Sequence, residues 1–181
     1  MTDTSGTAAT AAPPRAAYRE RLYVTWYWWP LPLVAATLLA AEIHMGYPGV
    51  RAWLPYLVII PLTLLLVLRA GTTRVAVVDG ELWVADAHLP LEFAGEVEVF
   101  DANQGERPAG GQAAVKRKVL GPNLDPAAFL LHRGWVGPLL RVRVTDPDDP
   151  TPYWVFSTRH PRRLAEAIAE GKAQRAVEDR A

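Results

Sequence analysis

Two long runs without a charged residue limit what this chain can fold into. Leu22 to Ala41 holds twenty consecutive uncharged residues between Arg21 and Glu42, and Ala52 to Leu68 holds seventeen between Arg51 and Arg69. As helices rising 1.5 Å per residue, these runs measure roughly 30 Å and 25 Å, the thickness of a bilayer's hydrocarbon core and its lower bound. A chain of 181 residues leaves too little other protein to wrap two such helices inside a water-soluble core. A cleavable signal peptide fits no better: the first run is too long, begins with bulky aromatics and is followed by a second. The expectation is a two-helix transmembrane hairpin over residues 18–69, with spans at about 22–41 and 52–68.

The flanks agree with that reading. Pro30, Pro32, Pro55 and Pro61 interrupt the runs; membrane helices tolerate proline where neighbouring groups recapture the freed carbonyls, and Pro30 and Pro32 also suit a helix start. Trp26, Tyr27, Trp28 and Trp29 mark one interface and Tyr47, Trp53 and Tyr56 the other, the depth amphipathic rings prefer. Arg15, Arg19 and Arg21 precede the first run, and Arg69 and Arg74 follow the second, whereas the Gly46–Pro48–Gly49 link offers only Arg51. The positive-inside rule then places both termini in the cytoplasm, as a multi-pass protein of the cell inner membrane.

Residues 1–17 are mostly Thr, Ala, Ser, Gly and Pro with almost no large apolar side chains, the composition of a disordered tail. Residues 70–170 are of ordinary globular composition and supply a β-rich cytoplasmic domain. TRVAVVDG alternates and ends in Asp79–Gly80, a strong hairpin signal, and ELWVADA returns. Further strands are expected at 89–93, 96–100, 128–131, 139–145 and 153–158, with 102–112 as a mobile loop. Pro161 opens a helix whose stripe of Leu164, Ala165, Ile168 and Ala169 covers an antiparallel sheet; it frays over 171–181. The fold class is therefore a membrane α-helical hairpin plus an α+β domain.

The catalytic inventory is thin. Without cysteine there is no disulfide framework or thiol nucleophile, and no nucleophile elbow, zinc-protease or phosphate-loop motif occurs. His44, His88, His132 and His160 lack metal-ligand spacing, and Asp146, Asp148 and Asp149 form an Asp-Pro turn rather than a cation loop. No catalytic residue, cofactor or metal site is expected. The 19 basic and 19 acidic residues cancel, which argues against a nucleic-acid partner. What remains are candidate interaction residues: Lys116, Arg117 and Lys118 after the loop, Arg133 and Trp135, and Arg159, Arg162 and Arg163. Each basic residue held near an anionic leaflet contributes about 1 kcal/mol, so their effect depends on sharing a face. Asp125 and Asp146 form a candidate polar cluster at strand ends.

The segment YRERLYVTWYWWPLPLVAATLLAAEIHMGYPGVRAWLPY, followed by DGELWVADAHLPLEFAGEVEVFD, LDPAAFLLHRGWVGPLLRVRVTDPDDPTPYW and VFSTRHPRRLAEAI, resembles an actinobacterial family of two-span membrane proteins known as domain of unknown function 3093. The resemblance runs from Tyr18 to about Ile168. It implies a topology and no activity. Two spans followed by short strands and a terminal helix are also similar in layout to bacterial membrane proteins carrying pleckstrin-homology-like domains. The leading expectation is a non-enzymatic membrane protein that binds membrane lipids or a membrane or cytoplasmic protein partner, with homo-oligomers open to it. The alternative is an accessory subunit or small enzyme for a lipid-linked substrate, using Asp125, Arg133, Asp146 and Arg159. A transporter or channel would need several hairpins per pore.

Overall fold

A computed structural model describes residues 16–46, 49–103, 109–122 and 124–178. Eight strands and four α-helices follow in the order β1 (Ala16–Arg21), α1 (Pro30–Gly46), α2 (Leu54–Ala70), β2 (Arg74–Val78), β3 (Glu81–Val84), β4 (Ala87–Pro90), β5 (Ala94–Phe100), α3 (Gly111–Val119), β6 (Phe129–Leu131), β7 (Leu139–Val144), β8 (Tyr153–Ser157) and α4 (Pro161–Glu178). Strands β1 to β4 form an antiparallel meander, and β5, β7, β8 and β6 a second sheet in that order. The β2–β3 reversal falls at Asp79–Gly80, both with positive φ, as a tight hairpin turn demands.

The core lies where inward side chains of both sheets meet. Val75, Val77, Leu82 and Val84 of the first sheet pack into one cluster with Leu140, Val142, Trp154 and Phe156 of the second. Helix α4 lays Leu164, Ala167 and Ile168 onto it, so three elements exclude water from one core. α4 does not end near Gly171 but continues to Glu178, because Lys172 and Arg175 are anchored on the Ala94 and Gly80 carbonyls.

Three expectations are corrected. Among the described residues the two-span hairpin is not found: one helical stretch, Val50–Ala70, is both long and apolar enough to cross a membrane, whereas α1 has 17 residues. The physical reason lies in the first eight residues of the uncharged run. Leu22, fully buried, belongs to the sheet core, Trp26–Trp28 form a 3-10 turn, and Pro30 fixes the helix start, so the run's length overstates its helix. Second, the hairpin expected over residues 18–69 is not separate from the domain, while residues 1–15 of the expected tail lie outside the described residues. β1 pairs with β2 from Tyr18↔Val77 to Arg21↔Arg74, so the chain enters the sheet before the apolar helices and re-enters it after them. Third, the wholly antiparallel, pleckstrin-homology-like layout gives way to an α+β arrangement of two four-stranded sheets in which β6 runs parallel to β8. The chain passes from β6 to β8 through β7, a connection long enough for that direction, which a tight hairpin would forbid. Part of the loop expected at 102–112 is helical, and residues 104–108 lie outside the described set.

Helices α1 and α2 pack on one another, with Ala36 and Ala40 giving α1 a small-residue contact face. Their other faces are bare. α2 buries no residue, and Leu57 is 73% exposed.

Candidate functional site

The two chain passages that carry α1 and α2 away from the sheets lie side by side, and the site is built around them. The Leu22 amide donates to the Thr73 carbonyl at 2.9 Å. A side-chain carbon on Gly71 would come within 2.9 Å of the Val24 nitrogen and 3.2 Å of the Tyr23 Cα, so the approach requires glycine. Trp135 and Arg133, on the connection between β6 and β7, hold this crossing together. The Trp135 indole donates to the Leu22 carbonyl at 3.1 Å, and the Arg133 guanidinium donates twice to Thr73 Oγ1, at 3.1 and 2.8 Å. Arg133 also lies over the Trp135 ring, 5.8 Å from its centroid.

Two further basic groups predicted from the sequence join this collar from other elements. Lys116 of α3 donates to the Val136 carbonyl at 2.7 Å and the Gly134 carbonyl at 3.4 Å, bracketing Trp135. Arg159 donates through Nη2 to the Tyr23 carbonyl at 2.5 Å. Burial pulls the Lys116 ammonium below its ordinary pKa. Burial and then the charge of Lys116 do the same to His132, which sits 3.3 Å from Ser157 Oγ. The exposed aromatics Trp26, Tyr27 and Trp28 follow within the next turn of chain, Trp26 being 79% exposed.

Beside the collar, β1 and α4 bound an open groove of about 640 Å³ lined by Tyr18, Arg19, Glu20, Arg21, Tyr23, Arg159, His160, Arg163, Glu166 and Glu170. A smaller depression on the other side of the α4 N-terminus shares Arg159, Arg163 and Glu166 and adds Arg162 and Asp101. Alternation along β1 turns Glu20 inward, only 8% exposed, while Arg19 and Arg21 face out. Its Oε2 accepts from the Tyr18 hydroxyl at 2.6 Å and from Thr158 Oγ1 at 2.7 Å, and Oε1 from the Arg159 amide at 2.8 Å. These bonds satisfy the buried carboxylate and stitch β1 to the start of α4. Burial, reinforced by the Glu20 hydrogen bond, raises the Tyr18 phenol above its ordinary pKa.

The remaining candidates fall elsewhere. Arg117 and Lys118 are exposed on α3. Asp125 accepts from the Ala127 amide through Oδ1, and Asp146 from the Asp148 amide, so each closes its own turn. Neither lines the grooves beside Arg159, and Asp125, Arg133, Asp146 and Arg159 do not form one constellation. Among the described residues no group of three His, Asp or Glu side chains could hold a metal ion. Tyr18, Glu20, Thr73 and Thr158 were not singled out from the sequence. The period-two alternation in YRERLY would have found Glu20, an inward carboxylate on the same face as Leu22.

The profile of a family described as "Protein of unknown function (DUF3093)" matches residues 17–168. No curated protein and no solved structure matches the chain.

Proposed function

The chain belongs to the DUF3093 family, and from that premise, which brings no activity with it, we propose a non-enzymatic membrane-attached protein whose α+β domain is held against the lipid surface. The exposed apolar stretch Val50–Ala70 enters hydrocarbon, the Arg and Trp collar lies at headgroup depth, and the domain stands on the cytoplasmic leaflet of the inner membrane.

One observation carries this reading: the exposed apolar side chains of α1 and α2 are preceded in the chain by the exposed Trp26, Tyr27 and Trp28, and Trp135 and Arg159 bond the Leu22 and Tyr23 carbonyls just before them. Large exposed apolar surfaces mark membrane or protein contacts, and Trp, Tyr and Arg are the residues that tolerate an interface, apolar on one side and wet on the other. Orientation follows from the arginines on the domain side of the helices. The reading as an enzyme on a lipid-linked substrate loses its support, because the four polar residues it needs are not gathered in one cleft.

Fractionation of cells expressing the full chain tests the proposal. The protein is expected in the membrane pellet after alkaline carbonate washing and at the top of a flotation gradient. Release into the carbonate supernatant, or stability at high concentration without detergent, would overturn it.

A further inference from the structure

The groove between β1 and α4 has a charge order along its length. β1 runs towards the collar, ending with Arg21 opposite Arg74, whereas α4 runs away from it until Arg175 reaches Gly80 at the far turn. The collar end of the groove therefore presents Arg21 and Arg159. Arg163 lies one turn into α4, and Glu166 and Glu170 follow at successive turns towards the far end. Among the described residues the only ion pair is Arg141 with Glu98, on the second sheet, so no arginine of the groove is within ion-pair distance of a described carboxylate. Glu20 has both oxygens occupied by Tyr18, Thr158 and the Arg159 amide.

We propose that this groove binds the headgroup of an ethanolamine phospholipid: a phosphate on Arg21, Arg159 and Arg163, and a primary ammonium at Glu166 and Glu170. Guanidinium groups match phosphate oxygens through paired donors, and an ammonium offers three donors to acceptor-only carboxylates. Arg163 and Glu166 are separated by roughly 4.5 Å along the helix axis, a spacing suited to two charges joined by an ethylene bridge. A simple anion fits less well, since Glu166 and Glu170 would repel it. A choline headgroup fits less well too, because a quaternary ammonium is recognised by aromatic faces rather than by carboxylates. The polarity also agrees with a lipid source, whose phosphate leaves the bilayer first and whose amine lies farther out. The choice of a lipid rather than a soluble phosphoethanolamine rests on the membrane-attachment reading; the ligand chemistry does not.

The test uses the full chain in non-ionic detergent micelles, titrated calorimetrically with dihexanoyl phosphatidylethanolamine, dihexanoyl phosphatidic acid, dihexanoyl phosphatidylcholine and free O-phosphoethanolamine. The ethanolamine lipid is expected to bind at least about tenfold more tightly than the choline lipid. Arg163→Gln should weaken both the ethanolamine lipid and phosphatidic acid. Glu166→Gln should weaken the ethanolamine lipid and leave phosphatidic acid unchanged or tighter, a sign reversal that loss of folding would not produce. Equal binding of O-phosphoethanolamine would uphold the recognition chemistry and assign it to a soluble ligand. No binding of either ethanolamine compound, or binding indifferent to Glu166→Gln, would overturn the proposal. Because the titration is done in micelles, its result is independent of whether carbonate releases the protein from membranes.

Discussion

Glu20 shows how one residue couples two distant parts of the chain. Its carboxylate joins residue 20 to residues 158 and 159 through hydrogen bonds at 2.7 and 2.8 Å, closing the seam between the first strand and the last helix. The fourth participant, Tyr18, supplies a pH signature. Its folded-state pKa is raised, by burial first and by the Glu20 bond second, whereas in the unfolded chain it titrates near 10.0. Above that pH the unfolded state releases a proton that the folded state retains, so folding stability from this phenol is complete below pH 10.0 and declines as pH rises through and beyond it. Chemical unfolding in detergent between pH 9 and about 11.5 should show stability falling with pH. Tyr18→Phe should start less stable, having lost the hydroxyl, and then fall less steeply. An equal slope in both proteins would exclude Tyr18 as the titrating group.

At the scale of elements, α4 is positioned by close contact as much as by its apolar stripe. Gly171 sits where the helix crosses the first sheet, and a side-chain carbon there would come within 2.5 Å of Leu91 Cδ1, itself fully buried. Two effects compete in Gly171→Ala. Helix propensity favours alanine by about 1 kcal/mol, whereas overpacking a filled core costs about 1–3 kcal/mol. Leu91 is fully buried, so moving its Cδ1 disturbs the core around it, and the variant should be less stable by up to about 2 kcal/mol in denaturant unfolding. A rise in stability would mean that Leu91 can repack. The Glu98–Arg141 pair between β5 and β7, at 2.6 Å but over a third exposed, contributes at most about 1 kcal/mol.

For the whole molecule, the decisive feature is that the apolar helices are an insertion within a sheet rather than an appendage before a domain. β1 and β2 are adjacent antiparallel strands, and everything from residue 22 to 73 leaves and returns through one crossing. Arg133 is the clamp on that crossing, through Thr73, which is itself nearly buried. Arg133→Met keeps the stem but leaves Thr73 Oγ1 without these donors, at a cost of about 1–3 kcal/mol. The expected outcome is faster tryptic cleavage at Arg69 and Arg74 in the micelle-bound protein, with the rate elsewhere unchanged. Uniform acceleration would point to global unfolding instead.

The sequence alone was enough to locate the apolar segments, the Asp79–Gly80 reversal, most strands of both sheets and the start of α4, because each is written in local periodicity or turn chemistry. It also marked Arg133, Trp135, Arg159 and Lys116, although not what they do. Helix length was misread where uncharged composition hid a change of conformation: the run joins Leu22, which the sheet core claims and the alternation of YRERLY places on a strand face, to the helix that starts at Pro30. The parallel β6–β8 pair, the pairing of β1 with β2 across the helices, and the meeting of Glu20 with Thr158 depend on contacts between residues far apart in sequence. Such contacts are chosen by how much apolar surface the assembled sheets and helix can bury together, a quantity that no short window of sequence contains.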